Sequence, residues 1–205
     1  MSCTLGIKQV VAMLATGLLL SGCAGVGKVP PAAQRLDLGA PQANPPQSSA
    51  SKVVPLVLSP MSAPAILQSV GVVWRMGSDG TPNRYATYEW SASPASLVHE
   101  RLIDRLTRDF AVLEQSVNSA DATLRINLLQ FEQIYTPDGS GNNGVVGVQA
   151  VLLRGTTVLA QYRITESVPA DANDAPAGAR ALRTATNQMA DNIASWIHQT
   201  LQKQK

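Results

Sequence analysis

The chain has 205 residues, 45% of them hydrophobic and 15% charged, which is enough apolar content for one domain with a sizeable core and too much for disorder throughout. A formal charge of +2, spread along the sequence, argues against a nucleic-acid groove or a polybasic membrane patch. With Cys3 and Cys23 as its only cysteines, a disulfide-stapled scaffold is ruled out as well.

The first residues are laid out as an export signal: Lys8 supplies a positive start, Val10 to Leu20 an apolar run, and Ser21-Gly22 a pair of small residues. That run falls short of the roughly 20 apolar residues that cross a bilayer. Leu20-Ser21-Gly22-Cys23 resembles the lipobox of bacterial lipoproteins. The resemblance implies cleavage after Gly22 and lipidation of Cys23, a handle rather than a reactive or structural thiol. Ala24, where an aspartate would mark inner-membrane retention, implies by the same resemblance the outer membrane. An ordinary secretory signal with a chance cysteine is the plainer alternative.

Residues 23–51 are rich in Pro, Ala, Gln, Ser and Gly and read as a tether, with a short strand at 35–39, "RLDLG". The folded domain is expected over 52–205, after a signal peptide at 1–22. "KVVPLVLSP" has strand composition, and Pro55 within it argues for a sheet edge or a bulge. "SVGVVWRM" and "RYATYEW" are β-rich runs joined by turn formers. Ser93 and Pro94 then suit the cap and first position of a helix, with Val98, Leu102, Leu106 and Phe110 on one face and Arg101, Asp104, Arg105 and Arg108 on the wet one. "AVLEQS" is a further short strand. In Ala122 to Tyr135 the alternation of Leu124, Ile126 and Leu128 slips to Leu129 and Phe131, which predicts a bulge near Leu128.

Val146, Val148, Ala150 and Leu152 make the next strand, and Val158, Ala160, Tyr162 and Ile164 its return after "RGTT". A last helix, capped by Asp174 ahead of Pro176, carries Leu182, Met189, Ile193, Trp196 and Leu201 at helical spacing. The order predicts a single α/β domain: a mixed, largely antiparallel sheet packed by two main amphipathic helices.

Motifs of catalysis are weak or misplaced. Gly139 to Gly144 spells G-x-G-x-x-G, but a strand rather than a helix follows, so a hairpin loop is the better reading than a pyrophosphate cradle. The same loop lacks the ligand pattern of a calcium site. His99 and His198 stand in no metal spacing, and Glu100, Asp104 and Asp109 read as helix-surface charges. No cofactor and no metal are expected, and no enzyme.

Aromatic placement is the unusual feature. Trp74, Tyr85, Tyr88 and Trp90 fall in one window, although aromatics are only 4% of the chain. A hairpin that packs Trp74 and Trp90 into the core is one reading and a binding surface the other. The series Asp37-Leu38-Gly39, Ala63-Pro64, Trp74-Arg75, Tyr85 and Trp90 with Pro94 resembles the ABC-type transport auxiliary lipoprotein family, which includes the lipoprotein of the paraquat-inducible membrane-integrity transporter. Trp74 stands where that family usually has tyrosine.

The resemblance implies a non-enzymatic lipoprotein on the periplasmic face of the outer membrane. Its partner would be the MCE-domain periplasmic protein of an ABC transporter, with permease and ATPase, moving phospholipids or other apolar molecules between the membranes. It also implies a fold like the anticodon-binding-like, Tol-type α/β architecture. Trp74, Arg75, Tyr85, Tyr88, Trp90 and Pro94 are then the candidate docking residues, self-association stays open, and nucleic acid is not a partner. An activator or scaffold of a cell-wall synthase is the competing function, and a hydrolase a distant third for want of a nucleophile and base.

Overall fold

One strand organises the molecule. The structure, a computed structural model, describes residues 32–40, 54–113 and 122–204; Cys23, the signal segment and most of the tether lie outside them. Its strands are β1 (Gln34–Leu36), β2 (Val54–Leu58), β3 (Gly71–Met76), β4 (Asn83–Trp90), β5 (Phe110–Leu113), β6 (Ala122–Tyr135), β7 (Asn142–Arg154) and β8 (Thr157–Pro169), with helices α1 (Pro94–Leu106) and α2 (Ala175–Gln202). β6 pairs antiparallel with β7 along its whole length, and β7 with β8. The other edge of β6 is shared: β2 runs parallel to its start, Leu56 beside Ala122, and β3 parallel to its end, Trp74 beside Gln133. β5 continues the sheet outward from β2, and β4 then β1 from β3. The sheet is thus mixed and open, with its longest ladders antiparallel.

The predicted bulge is present, a register shift between Leu128 and Gln130. It lets Leu124, Ile126 and Leu128 before it, and Phe131 after it, all bury in one core with Val146, Val148, Ala150 and Leu152. Both α-helices pack on that face. The Ser93 hydroxyl accepts the Ser96 amide at 3.2 Å to start α1, and Asp174 Oδ1 accepts the Ala177 amide at 2.7 Å to start α2. The opposite face carries Arg125, Asn127, Gln149 and Arg163, all wholly or partly exposed among the described residues.

Two small-residue positions set how close α2 comes. A Cβ on Gly144 of β7 would stand 2.5 Å from the Leu182 amide nitrogen, and one on Gly178 would meet the Gln133 side chain. The last glycine of G-x-G-x-x-G is therefore a packing contact between strand and helix. The loop before it is knitted by Asp138, which accepts hydrogen bonds from the Thr136 hydroxyl and from Ser140. Those donors hold its carboxyl down to about 2.

The structure corrects several expectations. Phe110 opens β5 instead of extending α1, because the helix closes at Thr107, whose hydroxyl donates to the Asp104 carbonyl at 2.9 Å. Asp109 accordingly sits past the helix, paired with Arg105 at 2.7 Å and facing His198 at 3.5 Å. Pro55 lies in an interior strand, tolerated because the β2–β6 ladder begins only at Leu56. Arg101, assigned to the wet face, is 7% exposed. Its guanidinium donates to the carbonyls of Leu38 at 2.7 Å, Gly39 at 2.8 Å and Ala40 at 3.3 Å. Leu38 is buried in the core, and Asp37 accepts the Gly39 amide at 2.6 Å and the Ser91 hydroxyl.

Candidate functional site

Strand alternation sorts the side chains of β3 between the two faces of the sheet. Trp74 and Met76 project from β3 to the helix-bearing face, and Arg75 between them to the other. Across the β3–β6 ladder Trp74 stands beside Gln133 and Met76 beside Tyr135. Tyr85 reaches in from β4. Trp74, Met76, Tyr85 and Tyr135 together line an open cleft of about 210 Å³. The rings meet at angles: Trp74 to Tyr135 edge-on at 5.9 Å, Trp74 to Tyr85 tilted at 6.0 Å, and Tyr85 to Tyr88 edge-on at 6.0 Å.

The polar ends of these rings turn away from the opening. Tyr85 donates its hydroxyl hydrogen to Gln133 Oε1 at 2.8 Å and, having only one, accepts that of Tyr135 at 2.6 Å. Gln133 Nε2 donates to the Asn142 side-chain oxygen at 2.7 Å, to the Asp174 carbonyl at 3.0 Å and to the Tyr135 hydroxyl at 3.3 Å. Gln133 has no exposed surface. Burial raises the ionisation of Tyr85 far above that of an ordinary tyrosine, and the Tyr135 hydrogen bond and charge add to it. What remains for a ligand is carbon surface, extended by Met76, which is 43% exposed.

The other candidates fall elsewhere. Trp90 is 2% exposed and packs on Phe131 at 5.3 Å, so it belongs to the core. Pro94 is the buried first residue of α1. Arg75 forms an ion pair with Glu132 at 2.7 Å on the opposite face, and Glu132, 4% exposed, also accepts Gln130 Nε2 at 2.7 Å. Met76, Gln133 and Tyr135 were missed. The only trace of them in the sequence is that Phe131, Gln133 and Tyr135 continue one face of β6 beyond the bulge.

A larger trough of about 450 Å³ lies where β2 and β3 part along β6, lined by Ser59, Ser62, Arg125, Asn127, Gln149 and Val151 among others. Ser62 donates to Asn127 Oδ1 at 3.1 Å across it, so its polar groups partly satisfy one another. Among the described residues no three His, Cys, Asp or Glu side chains gather as a metal site, and no helix is long and apolar enough to cross a membrane.

The family model described as the ABC-type transport auxiliary lipoprotein component matches residues 36–194. No curated protein matches the sequence. Among solved structures the chain is similar to a Xanthomonas campestris protein of the DUF330 family, at 20% identity and TM-score 0.66 over 84% of this chain and 96% of that one. It is also similar to an uncharacterized protein, at 17% identity and TM-score 0.64 over 81% and 99%. At these identities the likeness is one of fold.

Proposed function

Because the chain belongs to the family of ABC-type transport auxiliary lipoprotein components, we propose that it serves such a system as a tethered, non-catalytic partner. The transport system is of the MCE type, with its permease, its ATPase and an MCE-domain periplasmic protein that moves phospholipids or related apolar molecules. The lipoprotein is held by acyl chains on Cys23 at the outer membrane and faces the periplasm. One observation carries the reading. The cleft is walled by Trp74, Met76, Tyr85 and Tyr135, and its two hydroxyls are spent on each other and on Gln133. Such a site offers apolar contact and holds no poised nucleophile or base.

Deleting the gene tests the proposal: sensitivity to detergents should rise and the lipid balance of the outer membrane should shift. Unchanged permeability and lipid distribution under several stresses would overturn it. Affinity capture of the solubilised lipoprotein should bring down the transporter subunits, whereas capture of a peptidoglycan synthase would favour the cell-wall activator.

A further inference from the structure

The chain enters the fold beside the aromatic cleft. Gln34, first residue of β1, pairs with Tyr88 in the parallel β1–β4 ladder, and Tyr88 stands edge-on to Tyr85, a wall of the cleft. Immediately downstream Leu38 is buried, and Arg101 clasps the carbonyls of Leu38 and Gly39. An anchor at Cys23 is therefore separated from a fixed point of the fold by residues 24–33 alone. Ten residues reach at most about 35 Å even when fully extended. The whole stretch 24–51 would have reached nearly three times as far.

That limit matters because of what lies next to the entry point. Trp and Tyr rings settle at the boundary between headgroups and acyl chains, and the exposed Met76 adds apolar surface beside them. Here the tyrosine hydroxyls are tied inward and present carbon outward. A short leash and an apolar, ring-lined surface next to its point of attachment favour one occupant, the membrane that holds the leash. We propose that the Trp74–Met76–Tyr85–Tyr135 cleft seats on the headgroup and acyl-chain boundary of that bilayer, a second, non-covalent foothold for the domain. The inference rests on lipid attachment at Cys23.

Tryptophan fluorescence tests it, since the chain has three tryptophans and Trp90 is enclosed by the core. The full lipidated protein is reconstituted into phosphatidylethanolamine–phosphatidylglycerol vesicles with brominated acyl chains, and its flotation and emission are read together. Wild-type protein should float and show a quenched component. Trp74→Phe should float and lose that component, and Met76→Lys should float with the quenching reduced. Floating protein whose quenching is the same in wild type and Trp74→Phe, or is absent from both, overturns the membrane contact and gives the cleft to a protein partner. Protein that does not float at all overturns the Cys23 anchor, and this contact with it.

Discussion

Gln133 accepts the hydroxyl of Tyr85 at 2.8 Å, a bond between β6 and β4 that fixes one wall of the aromatic cleft from beneath. The same amide reaches β7 through Asn142 and the start of α2 through the Asp174 carbonyl. Gln133→Leu keeps the bulk and removes every one of these bonds. Each buried group left without a partner costs about 1–3 kcal/mol. Chemical denaturation should show a loss of that order or a small multiple of it, and an unchanged midpoint would mean that water replaces the amide at no cost.

The ionisation of Tyr85 makes the fold sensitive to alkali. An unfolded chain releases the tyrosine proton near pH 10, whereas the folded one holds it to higher pH through burial and the Tyr135 contact. The contribution is complete below pH 10 and fades as pH rises beyond it. Stability measured across that range should fall more steeply in wild type than in Tyr85→Phe. Tyrosinate absorbance should show a proton retained well above pH 10 that is missing from Tyr85→Phe. Parallel slopes would count against the shift.

Arg75 and Glu132 form a pair in which the carboxylate is buried and the guanidinium half-buried. Arg75→Ala strands that carboxylate, for which about 3–5 kcal/mol is the expected loss. Combining it with Glu132→Gln should restore a large part. A double-mutant cycle without coupling would show that Gln130, which also bonds the carboxylate, suffices alone.

Trp74 and Trp90 separate by their roles. Trp90→Ala opens a cavity against Phe131 and should cost about 3–5 kcal/mol, while Trp74→Ala, at the rim of an open cleft, should cost on the order of 1 kcal/mol. Thermal melts of the two variants decide it, and equal losses would put both rings in the core.

Gly144 and Gly141 test the glycine string. Gly144→Ala drives a methyl against the backbone of α2 and should destabilise by about 1–3 kcal/mol. Nothing lies within 4 Å of a Cβ on Gly141, so Gly141→Ala should stay within about 0.5 kcal/mol of wild type. The reverse order would remove strand–helix packing as the reason for the motif.

Local signals were legible wherever the cause was local. The phase slip at Leu128 announced the bulge, and Ser93-Pro94 and Asp174-Pro176 announced both helix starts, because caps and alternation act over a few residues. Phe110 kept the helical period yet went to β5, since the closing contacts of Thr107 outweigh one more apolar position. Arg101 looked like a solvated charge because its acceptors, the carbonyls of 38–40, lie some sixty positions away. The candidate cleft was half legible for the same reason: Trp74 and Tyr85 share a hairpin, but Tyr135 and Gln133 arrive from a strand whose neighbours are set by the sheet. Trp90 and Trp74 share the helix-bearing face and differ in their place along it, Trp90 over Phe131 in the core and Trp74 beside Gln133 toward the end of β6, and the register irregularity between Gly71 and Val73 hides that placement from a linear reading.

The shared edge of β6 also bears on the order in which the protein is made. β6, β7 and β8 follow one another through short loops and meet α2 next, so their contacts close quickly. β2 and β3 have no ladder partner in β6 until residue 122 and beyond exist, and both then dock parallel on the same edge. Synthesis delivers the N-terminal half first, yet that half must wait for the C-terminal one to provide its template. Pulsed hydrogen exchange during refolding should protect β7 and β8 before β3 and β4, and the waiting half is where a chaperone would be needed.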